Sequence, residues 1–312
     1  MSYQKKVSIF FDTNILEDRY ENGVIHLDGY SFSKNFTTVN NFINDNSLTK
    51  DITLCIPEIV HQEIESHKLF AFKQQRKSLN DKIDEYKRIY GSLVNIEYNL
   101  KCDNFDEYKE YIDSEIEKYW NSFGNYIQLI STPKHEKMLE ILVDKALNKT
   151  KPFREVKGSG KGASDAGFKD AIIVETMINY CIEKNQYGIL FTNDRDFEDV
   201  FPNDVKNRFK VLFTKDDVID YIKDIFGIID KDTIRKLFET DAYLKSLVIT
   251  ETGNKYDDSV MNFHVESVQE KKESTYRIDI TVDINESLYH ICLLYDVNAH
   301  EIVQFKYNIS ND

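Results

Sequence analysis

In Val7-Ser8-Ile9-Phe10-Phe11-Asp12-Thr13-Asn14, a short run suited to a buried strand ends abruptly on a carboxylate. A strand apolar on both faces belongs in a parallel sheet covered by helices, not in a sheet with one wet face. The pattern recurs. Ile52-Thr53-Leu54-Cys55-Ile56 is stopped by Pro57, which suits the start of a helix. Gly188-Ile189-Leu190-Phe191-Thr192 runs into Asn193-Asp194, and Phe209 to Thr214 forms a further strand. Helical periodicity fills the intervals. Ile59, Val60, Ile64, Phe70, Leu79, Ile83 and Tyr86 recur at three- and four-residue steps over 58–90. Weaker helices are expected over 104–123 and 134–148, an apolar one from Asp170 to about Glu183, and another over 215–226. Residues 17–50, rich in Asn, Ser, Thr and Asp, read as a variable stretch. Alternating strands and helices of this kind give an α/β fold on a central parallel sheet.

The tail has a different period. Tyr276, Ile278, Ile280, Val282 and Ile284 alternate with polar residues, as do Val303, Phe305, Tyr307 and Ile309. Period two means antiparallel strands with one wet face. A four-strand meander over about 258–309 is expected, after helical stretches near 216–226 and 231–245. The expected division is residues 1–227, carrying a helical insertion at about 64–148, and a small α+β domain at 228–312.

The 312 residues carry 40 Lys and Arg against 54 Asp and Glu, a formal net charge of −14. That balance excludes a protein that coats nucleic acid or an anionic membrane with its whole surface. It leaves room for a local basic groove. The opening apolar run is too short for a signal peptide, and no stretch approaches the roughly 20 apolar residues of a membrane span. The expectation is a cytoplasmic protein with no membrane partner. Cys55, Cys102, Cys181 and Cys292 are scattered, without CxxC or paired His spacing, which argues against zinc and against a disulfide framework. Gly158, Gly160 and Gly162 follow no strand and do not complete a dinucleotide motif; there is no phosphate-binding Gly-Lys-Ser/Thr loop.

Four acids stand out by position. Asp12 and Asp194 each follow a strand, so both project at the carboxyl edge of a parallel sheet, where ligands bind. Asp170 lies in line with Ile173, Val174 and Met177, and Glu63 with Ile59 and Val60, so each borders an apolar helix stripe. Each also has an ordinary structural reading: turn residue, helix N-terminal charge, solvated helix residue or Asx turn. Taken together, carboxylates from separate elements aimed at one edge repel unless cations bind between them. Oxygen donors without His or Cys suit Mg²⁺ or Mn²⁺.

These segments resemble the PIN-domain family of metal-dependent ribonucleases. Val7 to Leu16 is similar to the family's opening strand with its Asp-Thr-Asn. Ile56-Pro57-Glu58-Ile59-Val60-His61-Gln62-Glu63 resembles the segment presenting its Glu. Gly167-Phe168-Lys169-Asp170-Ala171 resembles the segment carrying its next Asp, and Leu190 to Phe197 its Thr-Asn-Asp-x-Asp-Phe signature. The four occur in family order and cover about 5–215. The resemblance implies a three-layer α/β/α sandwich. It implies Asp12, Glu63, Asp170 and Asp194 as metal-binding catalytic acids holding one or two Mg²⁺ or Mn²⁺ ions, with Asp196 auxiliary. Asn14 and Thr192 would orient carboxylates. The interval from Glu63 to Asp170 is long, which leaves Glu58 and Glu65 as rivals for the Glu position.

Ahead of Asp170 the chain is basic and glycine-punctuated. Lys151, Arg154, Lys157, Lys161 and Lys169, with Arg195 beyond, are the candidate contacts to substrate phosphates. The basic side of the 58–90 helix, from Lys68 to Arg88, is a candidate second wall; a solvated helix face is its ordinary reading. The leading functional expectation is an endoribonuclease acting on single-stranded or structured RNA, tRNA included, with a regulated stress or phage-defence role by analogy. The alternatives are a catalytically silent scaffold and a DNA-cleaving enzyme with the same site. The C-terminal domain is expected to meet a second copy or a regulatory partner.

Overall fold

The computed structural model describes residues 6–19, 23–97, 100–134, 136–153, 167–228, 231–256, 260–272, 275–310. The chain forms two compact units, Met1–Ile222 and Lys223–Asp312.

The first unit is built on five parallel strands: β1 (Val7–Phe11), β2 (Ile52–Pro57), β3 (Ile127–Ile130), β4 (Tyr187–Phe191) and β5 (Phe209–Leu212). Their order is β3-β2-β1-β4-β5. Helices flank the sheet: α1 (Thr13–Leu16), α2 (Lys34–Asp45), α3 (Glu58–Tyr90), α4 (Phe105–Asn121), α5 (Glu136–Leu147), α6 (Phe168–Lys184) and α7 (Lys215–Phe226). All five residues of β1 are buried, Ser8 among them, as a strand with apolar residues on both faces requires. Close packing also dictates Gly188 in β4. A Cβ there would lie 2.6 Å from Met177 Cε and 2.6 Å from Phe209 Cδ1. Because β1 connects outward to β2 on one side and β4 adjoins it on the other, the strand order reverses between β1 and β4. That is the switch point where open α/β sheets bind ligands.

The structure departs from the sequence reading in several places. The stretch read as variable contains α2, capped by Ser33, whose Oγ accepts from Phe36 N; it buries Phe36, Val39 and Ile43. Strand β3 lies inside the range expected to be helical. Its Ile127 and Ile130 are buried while the two residues between are exposed, which matches neither period two nor a continuous apolar run. The buried stripe of α3 runs through Val60, Ile64, Lys68 and Phe72, while Phe70 is 63% exposed. Lys68 is therefore no part of a basic groove wall. It is buried and donates to the carbonyls of His26 (2.6 Å) and Gly29 (3.1 Å). Lys73 lies over the Phe105 ring, 3.9 Å from its centroid.

The second unit carries α8 (Lys231–Thr240) and α9 (Ala242–Glu251). The sequence read these as one stretch, but Asp241 ends the first and caps the second, accepting from Leu244 N. The meander follows as β6 (Val260–Lys272), β7 (Thr275–Ile284), β8 (Ser287–Asp296) and β9 (Glu301–Ser310), antiparallel in sequence order. Alternate residues of β7 and β8 form its core with Ile234 and Phe238 of α8 and Leu244, Val248 and Ile249 of α9. Among the described residues, no helix is long and apolar enough to cross a membrane.

Candidate active site

Asp12 continues the β1–β4 ladder by one bond, its N–H donating to Phe191 O at 3.1 Å. Its backbone is then extended (φ −84°, ψ 160°), so the residue serves as N-cap to α1 and its Oδ1 accepts from Thr13 N at 2.7 Å. The other oxygen turns to β4: Thr192 Oγ1 donates to Asp12 Oδ2 at 2.8 Å. The same hydroxyl accepts from Asp194 N at 3.0 Å, and Asp194 Oδ1 accepts from Asp196 N at 2.9 Å. Asn14 Oδ1 accepts from Asn193 N at 3.1 Å. One carboxylate, one hydroxyl and one amide thus stitch the ends of two neighbouring strands into a single rigid edge.

The third acid comes from α3. Glu63 Oε2 accepts from Thr13 Oγ1 at 2.7 Å, which ties the helix to the residue after Asp12. Its other oxygen, Oε1, pairs with the Lys169 ammonium. Glu58 accepts instead from Thr132 N at 3.3 Å. Glu65 is pushed above its ordinary range by burial and by Asp113 of α4, so it faces elsewhere. Of the three glutamates, Glu63 is the one whose described contacts reach the Asp12 edge. Asp170 stands half-buried in the first turn of α6, next to Lys169. The Lys169–Glu63 pair sets that helix end beside Glu63.

Charge accumulates at this edge. Asp12 is only 6% exposed. Burial pushes its carboxyl from an ordinary 3.8 up to about 6; the Thr192 and Thr13 hydrogen bonds pull downward, and the carboxylates of Glu63 and Asp194 push it up again. The acids of three separate elements therefore sense one another. A hard divalent cation is what such an all-oxygen, self-repelling set accepts. The fit is one of donor chemistry. Among the described residues no three His, Cys, Asp or Glu form a ready-made cage, and Glu63 is turned toward Thr13 and Lys169.

Beyond Glu63 lies a network the sequence reading missed. His67, one turn along α3, has Nε2 3.7 Å from Glu63 Oε1 and Nδ1 3.0 Å from Glu17 Oε1. Glu17 is buried and also pairs with Arg19. Burial raises its carboxyl, but the His67 and Arg19 hydrogen bonds and charges outweigh that and hold it below the ordinary range. The four-residue spacing of Glu63 and His67 was the available signal. For Glu17 there was none, because its position depends on the turn after α1.

The basic candidates scatter. Lys169 is at the site. Lys151 donates to Glu198 O at 2.7 Å, and the Arg195 guanidinium lies 4.0 Å from the centre of the Phe213 ring. Arg154, Lys157 and Lys161 lie outside the described residues.

None of the curated proteins compared matches the chain. A sequence profile of the PIN domain matches residues 9–197, a span that runs from β1 to the turn after β4 and holds Asp12, Glu63, Asp170, Asp194 and Asp196. The match covers more than half of the chain, which therefore belongs to the PIN-domain family, whose members have a nuclease-type fold, commonly cleave nucleic acids and typically bind divalent metals.

Proposed function

We infer that this protein is a Mg²⁺- or Mn²⁺-dependent endoribonuclease. The observation that carries the reading is Asp12: a carboxylate locked to Thr192 and pushed upward first by its burial and then by Glu63 and Asp194. Asp12, Glu63, Asp170 and Asp194 would hold the ion or ions, with Asp196 as an auxiliary acid. A divalent cation held there would supply a more acidic water and offset charge on a phosphodiester undergoing hydrolysis. The chain's own part is positional. Thr192 fixes one Asp12 oxygen, Thr13 fixes the other through its N–H and holds Glu63 through its hydroxyl, and Asn14 braces the loop before Asp194. Lys169, now on Glu63, is near enough to the acids to exchange that partner for a substrate phosphate. Lys151 and Arg195, with Arg154, Lys157 and Lys161, would extend the contact along the strand of RNA. In this reading the enzyme is cytoplasmic and serves as a regulated effector in stress or phage defence.

The test is incubation of labelled single-stranded RNA, tRNA and DNA with the protein in Mn²⁺ or in EDTA. Internal cleavage of RNA in Mn²⁺, abolished by EDTA and reduced at least about a hundredfold in Asp194→Asn, is expected. Cleavage of DNA alone would replace the RNA reading with the DNA one. No metal-dependent cleavage of any substrate would leave a scaffold on a silent fold.

A further inference from the structure

The two edges of the C-terminal sheet are treated differently. A free edge offers a row of unpaired N–H and C=O groups, and proteins usually blunt it. On the β6 side the blunting is plain. The β6–β7 register shifts between Met261 and His264, between Val265 and Ser267, and between Glu270 and Lys272. Arg235 of α8 also caps that edge, donating to Val265 O at 3.0 Å and Glu266 O at 3.3 Å.

Among the described residues strand β9 is blunted less, by a single register shift and by Lys306. Its one irregularity lies near its start, opposite Leu294 and Tyr295. From Gln304 to Ser310 it runs in unbroken register with β8, with no proline and Lys306 as its one charge. Phe305, Tyr307 and Ile309 pair with Leu293, Ile291 and Tyr289, so they continue the apolar face of the sheet. Those β8 residues are buried, but Tyr307 is 41% and Ile309 50% exposed. The apolar face therefore continues, partly exposed, onto β9, the last strand of its sheet among the described residues.

We propose that β9 pairs antiparallel with β9 of a second copy of this chain, making one eight-stranded sheet across a two-fold axis. The sequence of β9 selects that occupant and its register. Centring the pair on Tyr307 sets Phe305 opposite Ile309, Lys306 opposite Asn308 and Gln304 opposite Ser310 of the other copy. Every apolar residue then meets an apolar residue on the core face, every polar residue meets a polar one, and no two charges are opposed. Centring on Lys306 would oppose two ammonium groups, which is unfavourable, and would carry the pairing across the irregularity. The Tyr307 register is the one that uses the whole regular segment and places no like charges opposite each other.

The experiment uses the full chain and needs no nuclease activity. Light scattering coupled to size-exclusion chromatography is expected to give about twice the 36.7 kDa chain mass. Tyr307→Lys, which sets two ammonium groups face to face on the two-fold axis, is expected to give the single-chain mass with an unchanged circular dichroism spectrum. A second pair of variants tests register even if that one misfolds. Opposed residues in an antiparallel pair have Cα atoms about 4.5–5.5 Å apart, within reach of a disulfide. Tyr307→Cys is expected to trap a covalent dimer under mild oxidation. Asn308→Cys, whose two copies are offset by two positions, is not, and the wild type with its own four cysteines is the control. A monomeric wild type overturns the proposal. So does a dimer that survives Tyr307→Lys, or one in which Tyr307→Cys traps no more than the wild type.

Discussion

Replacing Asp12 by Asn is expected to stabilise the metal-free protein at neutral pH. Its carboxyl is raised from 3.8 to about 6 in the fold. A raised acid favours folding fully below the unfolded value, and that contribution is lost as pH rises through the folded one. Here the loss occupies the window from about 3.8 to about 6. A tenfold change in acidity between the folded and unfolded chain is worth about 1.4 kcal/mol, so above pH 7 the ionised Asp12 costs the fold about 3 kcal/mol. Asn carries no charge to bury. It keeps an acceptor for Thr13 N but gives Thr192 a weaker partner, a loss of about 1 kcal/mol. The net gain is about 2 kcal/mol, or about 4–8 °C in melting temperature for a domain of this size. Calorimetric scans in EDTA from pH 4 to pH 8 would read it. The difference should be near zero or reversed at pH 4, open through pH 5–6 and level off above pH 7. A variant that melts below the wild type at pH 8, or a difference indifferent to pH, would refute the idea that burial and neighbouring carboxylates load this residue.

Two further outcomes follow from named contacts. The Lys169 ammonium occupies a Glu63 oxygen, so Lys169→Met should raise Mn²⁺ affinity several-fold in a calorimetric titration while weakening binding of short RNA, through the loss of a phosphate contact. Lys68→Met, which abandons the carbonyls of His26 and Gly29 inside the α3 packing, should lower stability to urea by about 1–3 kcal/mol and leave Mn²⁺ binding unchanged.

The parts of the fold that were legible are those in which one period dominates. β1, β2 and β4 carry apolar residues on both faces, with only Ser8 and Thr53 interrupting, and β7 alternates without a break, so each announces its sheet. β3 does not, because a four-residue edge strand with an exposed middle carries too few residues to show a period. Helix α2 was hidden by its composition: Ser33 and a polar outer face surround only three buried positions. In α3, Phe70 looked like core and Lys68 like surface, and the structure reverses them. The long lysine stem fills the stripe while its ammonium finds two carbonyls, a partnership across more than thirty-five residues of sequence.

At the site, the strand-end acids were legible because Asp12 directly follows β1 and Asp194 follows β4 after two residues, which places both at the carboxyl edge of the sheet. Proposing Glu63 rather than Glu58 or Glu65 as the ligand rests on the helix phase relative to Thr13. The Glu17–His67 support behind it needed the turn geometry after α1, which no local pattern encodes. The net charge of −14 gave no sign of its distribution either; part of that acidity is the cluster itself.

The most direct measurement is a calorimetric titration of Mn²⁺ into the wild type and into Asp194→Asn. If acids from separate elements are gathered to hold a divalent cation, the wild type binds one or two ions and the variant, which keeps the buried Asp12 and the fold, loses at least one of them or binds about tenfold more weakly. Equal binding by both proteins, or none by the wild type, would contradict the account.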